Sequence, residues 1–304
     1  MSLQPAPEAG AAHRAGRVAL VGRPNVGKST LLNRLVGCKV SITSGRPQTT
    51  RQRVTGIVTR PDAQIVFVDT PGFQTEHRSA LNSAMNRGVM AGLQDVDAIV
   101  WLVEALKYDE RDAAVARLLA PSRPVILAIN KTDTVRDRKL LLPFIARLAG
   151  LRAFEAIVPV SAARGWQVKE LLEAIVALLP EGAPFHDADD ITTVNERFLA
   201  AELLREKLFR LLGEELPYAS SVEIDRFRQE GTLRRIHASI VVDKESQKAI
   251  VIGKGGKQLK TIASQARRDM ERLFGGKVFL EVWVKVKRGW AGDPAVLRRM
   301  GFND

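Results

Sequence analysis

At 304 residues the chain exceeds one typical domain, and its 45% hydrophobic composition gives material for packed cores and argues against wholesale disorder. No apolar run approaches the roughly 20 residues that span a bilayer, and the single cysteine, Cys38, excludes an internal disulfide or a multi-cysteine metal site. The formal charge is +12, and residues 195–304 carry +7 of it, with 22 Lys and Arg against 15 Asp and Glu; that excess points to a polyanionic partner, either nucleic acid or an anionic membrane surface.

Residues 1–15 are rich in Ala, Pro and Gly, lack the apolar middle of a secretory signal and read as a flexible extension. From residue 16 to residue 180, short apolar runs alternate with amphipathic stretches. RVALVG reads as a buried strand and KSTLLNRLVG as a helix stopped by Gly37. RVTGIVTR and QIVFVDT, separated by Pro61, Asp62 and Ala63, read as an antiparallel hairpin. DAIVWLVEA, PVILAINK and AIVPVSA supply further strands, and QVKELLEAIVALL a helix. This alternation predicts an α/β domain with a mixed, mostly parallel sheet covered on both faces. Trp101, inside a strand, reads as core. Residues 181–194 break into Pro, Gly and acidic residues and mark a linker. Residues 195–304 then read as helix, strand, strand, glycine loop with helices, and strand.

GRPNVGKS, from Gly22 to Ser29, matches G-x-x-x-x-G-K-[ST] between a predicted strand and a predicted helix. Phosphates are expected on the backbone N–H groups of Gly22, Asn25, Val26, Gly27, Lys28, Ser29 and Thr30, with the Lys28 ammonium on the β and γ groups. The Ser29 hydroxyl can ligate Mg²⁺, and Asp69 of DTPG can hold the ion through a water, while the Gly72 N–H senses the γ-phosphate. NKTD, from Asn130 to Asp133, selects guanine: a carboxylate accepts N1–H and the 2-amino hydrogens, and adenine offers neither. Lys131 can pack its stem on the base, and SAARG, through Ser161 and Ala162, can offer N–H groups to guanine O6. Any one of these motifs alone could be a solvated turn; four in this order, each ending a strand, carry the reading. In the loop SGRPQTTRQR, either Thr49 or Thr50 could close onto Mg²⁺.

VIGKGGKQ has no such frame. Gly253, Lys254, Gly255 and Gly256 match the GXXG loop of a KH module, which clamps a single-stranded nucleic-acid backbone, and Lys257 adds charge. The element order predicts an α+β KH domain of the prokaryotic type II form. Lys285, Lys287 and Arg288, on and after the strand VFLEVWVKVK, extend the candidate RNA surface, with Trp283 or Trp290 available either to stack on a base or to pack.

The chain resembles the Era family of GTPases in GRPNVGKST, PQTTRQR, DTPG, NKTD and SAARG, and again in LREKLFRLLGEELPYASSVEI, SQKAIVIGKGGKQLK and VKVKRGWAGD, together nearly everything from residue 17 to residue 304. The resemblance implies that Thr50 is the switch magnesium ligand, that Asn25 helps hold K⁺, and that GTP and GDP are the nucleotides. It also implies binding to the 3′ end of small-subunit (16S) ribosomal RNA during maturation of the 30S subunit. Phe73 stands where Ras-like GTPases place a water-orienting glutamine, so intrinsic hydrolysis is expected to be slow and no catalytic base is assigned. Residues 73–86 depart from the His- and Pro-containing stretch usual in the family. A cytoplasmic monomer is expected. Without a lipidation motif, reversible contact at the inner face of the cell membrane is the most that a membrane-regulatory role would allow. The other competing role is an RNA-binding module whose nucleotide is structural.

Overall fold

The computed structural model describes residues 13–46, 49–51, 54–70, 72, 86–87, 89–90, 92–213 and 216–290. β1 (Arg14–Val21) lies at the centre of a six-stranded sheet with β2 (Val54–Thr59), β3 (Ala63–Asp69), β4 (Ala98–Glu104), β5 (Val125–Asn130) and β6 (Ala156–Pro159). The strand order is β2-β3-β1-β4-β5-β6, parallel throughout except for the antiparallel β2–β3 hairpin at the edge. Both faces are covered, which is why the strands read as unbroken apolar runs. Val18 and Leu20 pack with α1 (Lys28–Val36) and α4 (Val168–Leu178). Ala19 and Val21 pack on the other face with Trp101, which has no exposed surface, and with α2 (Glu110–Ala116) and α3 (Leu141–Ala149). Truncating a side chain such as Leu20 to alanine would cost about 2–5 kcal/mol.

The segment expected as a linker is pinned to this sheet. The buried amide of Gln64 accepts from the Phe185 and His186 N–H groups at 2.7 and 2.9 Å and donates to His186 O at 2.8 Å. The Ile57 N–H on the edge strand donates to Ile191 O at 2.9 Å, and Thr192 Oγ1 to Thr55 O at 2.6 Å. An edge strand that would otherwise offer free backbone groups is thereby partly covered.

Beyond it, α5 (Glu196–Leu211) starts on an N-cap, Asn195, whose side chain accepts from the Phe198 N–H. β7 (Ser220–Glu230) and β8 (Leu233–Val242) pair antiparallel, and β8 pairs parallel with β9 (Lys277–Val286). A parallel neighbour needs a crossover; α6 (Glu245–Ile252), the loop Gly253–Gly256 and α7 (Lys257–Phe274) provide it. Leu203, Leu204 and Leu208 of α5, Ile262, Ala266 and Met270 of α7, and Ile236, Ala238 and Ile240 of β8 form one core on a single face of this sheet. Among the described residues no helix is long and apolar enough to cross a membrane.

Candidate functional site

β1 ends at Val21, the chain turns through Gly22–Gly27, and α1 begins at Lys28, so the first-turn N–H groups of that helix face the loop. Gly27 has φ +103°, and a Cβ there would lie 2.4 Å from Asn130 Nδ2, so the turn admits no side chain. The Lys28 ammonium donates to Gly22 O at 2.9 Å and Arg23 O at 3.0 Å, and burial lowers its pKa to about 8. Asp69, fully buried at the end of β3, accepts from Ser29 Oγ at 2.8 Å and Ser41 Oγ at 3.0 Å through Oδ2. Among the described residues its Oδ1 has no partner, and burial raises its pKa against the pull of Lys28. Ser29 Oγ lies 2.8 Å from Thr50 Oγ1. A buried carboxylate with an orphaned oxygen beside two hydroxyls is a donor set that fits a hard divalent cation, and Ser29, Thr50 and Asp69 are the residues here that can hold Mg²⁺. When bound, the ion would neutralise phosphate charge.

Thr49 lines the same cavity, but its hydroxyl bonds Ser44 Oγ and, at 2.7 Å, Arg46 O within its own loop. The cavity above these groups has a volume of about 280 Å³ and is lined by residues that include Asn25, Lys28, Ser29, Thr30, Thr50, Gly72 and Lys131. Asn25 donates its amide to Gly45 O at 3.0 Å, joining the phosphate loop to the loop of Thr50. Gly72 packs on the phosphate loop so closely that a Cβ would lie 2.9 Å from Pro24 Cα.

On the base side, Asn130 is a tie. It donates to Val26 O at 2.8 Å and accepts from the Ala162 N–H at 3.0 Å. Asp133 Oδ1 accepts from Ser161 Oγ at 2.6 Å, which orients the carboxylate and leaves Oδ2 for a base edge. The N–H groups of Ser161 and Ala162, expected to face guanine O6, have protein acceptors: the Ser161 N–H donates to Trp166 O at 3.1 Å and the Ala162 N–H to Asn130 Oδ1 at 3.0 Å. The Ser161 hydroxyl is on Asp133, and an oxygen meeting the Ala162 N–H would share it with Asn130.

Glu104, which sequence reasoning missed, ends β4 and joins the two halves of the site. It accepts from Lys131 Nζ at 2.7 Å, Lys107 Nζ at 2.5 Å and Arg23 Nη2 at 3.3 Å. Burial alone would raise its pKa, but Lys107 and Lys131 outweigh it and hold the carboxylate below its ordinary value. An acid at a strand end carries no signature that separates this role from a solvated turn. Asp112, also buried, holds the far side of Arg23 at 3.3 Å. Of the departing segment 73–86, residues 73–85, with Phe73, lie outside the described residues.

In the second domain, Gly253 (φ +70°), Gly255 (φ +59°) and Gly256 (φ +74°) carry the turn between α6 and α7, and Lys254 and Lys257 flank it. A Cβ on Gly253 would lie 2.6 Å from Gln258 Cβ. Lys285 is not brought to that loop. Alternate residues Val284 and Val286 face the helices, so Lys285 stands on the opposite sheet face, paired with Asp225 at 3.1 Å. Lys287 follows the strand, its N–H on Val242 O, and Arg288 is exposed. Trp290 is packed, donating Nε1 to Ala219 O at 3.2 Å, whereas Trp283 is 44% exposed and stacks on His237 with centroids 5.7 Å apart.

The phosphate loop at the carboxyl end of β1, the guanine motif at the end of β5 and the type II arrangement beyond them define a P-loop GTPase joined to a KH domain. Residues 17–131 match the family model of the 50S ribosome-binding GTPases and residues 215–291 that of the KH domain. The chain is 56% identical over 290 residues to the GTPase Era of Nitrosomonas eutropha, covering 95% of this chain and 98% of that one. It is 54% identical over 292 residues to the GTPase Era of Neisseria meningitidis, with 95% of each chain covered. A variant of Aquifex aeolicus Era bound to GDP·AlF₄⁻ superposes with a TM-score of 0.92 at 39% identity, over 96% of this chain and 100% of that one. An Era in complex with MgGDPNP and nucleotides 1506–1542 of 16S ribosomal RNA superposes with the same TM-score, identity and coverage. The chain belongs to the Era family and is a GTPase.

Proposed function

We propose that this GTPase is a nucleotide-controlled RNA-binding switch that holds the 3′ end of small-subunit ribosomal RNA and assists 30S assembly. The observation that carries the reading is the convergence of Thr50, Ser29 and Asp69 on one cavity, in a chain whose second domain presents a GXXG turn. Mg²⁺ is held by Ser29 and Thr50, with Asp69 acting through water. Gly22, Asn25, Val26, Gly27, Lys28, Ser29, Thr30 and Gly72 receive the phosphates, and K⁺ sits near Asn25. Asn130, Lys131, Asp133, Ser161 and Ala162 receive guanine. The RNA backbone lies along Gly253–Lys257, and Lys285, Lys287 and Arg288 extend the surface that it meets. The proposed division is an extension at 1–15, whose last two residues, Arg14 and Ala15, already belong to β1, then a GTPase domain at 16–180, a linker at 181–194 and a KH domain at 195–304. The relative's complex with MgGDPNP and ribosomal RNA supports both ligands.

The test is GTP turnover in K⁺ or Na⁺ with Mg²⁺, with and without a single-stranded oligonucleotide of the 16S 3′ end. Slow basal turnover is expected to rise with RNA and with K⁺. Asp133→Asn replaces two acceptors by a donor and an acceptor, which suits the C2 carbonyl of xanthine, so activity should move from GTP to XTP. Lys254→Glu should lose RNA binding and keep basal turnover. Undiminished GTP use by Asp133→Asn overturns the guanine assignment, and undiminished RNA affinity in Lys254→Glu overturns the loop assignment. Equal RNA affinity in the GTP and GDP forms removes the switch.

A further inference from the structure

The loop that carries Thr50 is not held by the GTPase domain alone. Arg205, on α5, donates Nη2 to Thr49 O at 2.5 Å, the carbonyl immediately before Thr50. Its guanidinium is fixed by Glu202, with Nε to Oε1 at 2.7 Å and Nη2 to Oε2 at 2.6 Å. Arg51, immediately after Thr50, reaches the other way, to Ser220 O and Pro217 O at 3.1 Å and Tyr218 O at 3.3 Å. Both guanidinium groups lie over the buried Phe209 ring, at 5.5 Å for Arg205 and 5.7 Å for Arg51. Two like charges buried on one ring repel, and burial together with the Arg205 charge pushes the Arg51 pKa well below its ordinary range. The backbone carbonyls and Glu202 offset that repulsion only while the loop keeps this geometry.

The same helix touches the RNA loop. Arg46 donates to Leu212 O and Gly213 O, each at 2.8 Å, at the end of α5. Gln258, the second residue of α7, donates Nε2 to Leu211 O at 2.9 Å, and its Cβ is the atom that excludes a side chain at Gly253. Three consecutive carbonyls, at Leu211, Leu212 and Gly213, thus serve the Thr50 loop on one side and the base of the GXXG turn on the other.

We propose that Arg205 is a positioning residue of the GTPase site supplied by the KH domain, and that the end of α5 passes the state of Thr50 to the Gly253–Gly256 turn through Gln258. The proposal rests on the reading of Thr50 as a magnesium ligand: Mg²⁺·GTP, whose γ-phosphate completes the Thr50 arrangement, and GDP, which lacks that phosphate, then leave the Gly253–Gly256 turn in different states. Because the coupling is a free energy, it must appear equally in both directions.

The experiment uses the full chain and titrates GDP, then the non-hydrolysable analogue GDPNP with Mg²⁺, then the 16S 3′-end oligonucleotide against each loaded form. Arg205→Ala is expected to weaken GDPNP by about tenfold, the worth of one charge-assisted hydrogen bond, and to leave GDP within about twofold of wild type. Arg205→Lys, which can still reach one carbonyl, should recover part of the loss, and it serves as the test if the alanine variant does not fold. Gln258→Ala should leave both nucleotide affinities unchanged and bring the ratio of RNA affinities in the two forms towards one. Equal losses of GDP and GDPNP in Arg205→Ala, as simple domain glue would give, overturn the positioning role. A wild-type RNA ratio in Gln258→Ala overturns the relay. Thr50→Ala separates the layers: if it spares GDPNP the underlying reading fails, and if it weakens GDPNP while the Arg205 variants do not, only the inference fails.

Discussion

Glu104 shows how much of the nucleotide site depends on a residue outside the lining of its cavity. Its carboxylate is the shared acceptor of Arg23 in the phosphate loop and Lys131 in the guanine motif, two segments more than a hundred residues apart in sequence. Replacing it with glutamine keeps the shape and removes the charge, leaving three cations, Arg23, Lys107 and Lys131, without this counter-ion. Lys131 then loses the anchor that fixes its stem beside the cavity. Glu104→Gln is expected to weaken GDP and GTP by a similar factor, about tenfold, on the scale of one charge-assisted bond. The ratio of guanine to xanthine nucleotide affinity should not move, because Asp133 is untouched. Stopped-flow release of a fluorescent GDP reads the change directly, and an unaltered release rate in a folded variant would remove the role.

At the scale of elements, what was legible in the sequence was local. The strand, phosphate loop and first helix follow from a nine-residue motif whose glycines and lysine act on one another, and Gly37 ends α1 with φ +81° as its position suggests. The KH crossover follows from element order, since only a parallel β8–β9 pair needs two helices between its strands. Residues 181–194 were legible only as a break. Their attachment depends on Gln64, a polar residue in a strand with no exposed surface, and nothing in the linker's composition signals the partner. The sequence left Thr49 and Thr50 open because they are adjacent and chemically alike; both line the cavity, and they differ in what their hydroxyls meet, Ser29 Oγ at 2.8 Å for Thr50 and Ser44 and Arg46 for Thr49. Gln64→Leu would strip the Phe185 and His186 N–H groups of their acceptor, and each such group left without water costs about 1–3 kcal/mol. The variant should lose thermal stability and gain protease cleavage within 181–194 before global unfolding. Cleavage unchanged from wild type would show that Thr55 and Ile57 hold the segment without Gln64.

The two domains meet through charge as well as through the Thr50 loop, and here the whole molecule acquires a pH dependence. Glu206 on α5 has no exposed surface and accepts from Lys39 Nζ at 2.5 Å, the Thr43 N–H at 3.0 Å and Arg210 Nη2 at 3.1 Å. Asp269 on α7 closes the group, with Lys39 at 3.2 Å and Lys207 closer. Burial alone would raise the Glu206 carboxyl, but Lys39, the Thr43 N–H and Arg210 outweigh it and hold it below its ordinary value of 4.5; Asp269 is likewise lowered from 3.8. A carboxylate depressed on folding contributes its stabilisation fully above its unfolded pKa and loses it as pH falls through the folded one. Docking should therefore be constant from neutrality down to about pH 5 and weaken below that. None of this was readable from the sequence, since Lys39 and Glu206 stand 167 positions apart and every partner of the pair is an ordinary surface residue type. Glu206→Gln imposes part of the acid state at neutral pH. It leaves Lys39 and Lys207 facing one another with Asp269 alone between them, and it keeps the apolar core of each domain intact. Small-angle scattering should then show a larger radius of gyration at pH 7, approached by the wild type only on acidification, and calorimetry should resolve two transitions where the wild type gives overlapping ones. A variant whose scattering and melting match the wild type at pH 7 would place the docking energy in the Arg51, Arg205 and Phe209 contact instead.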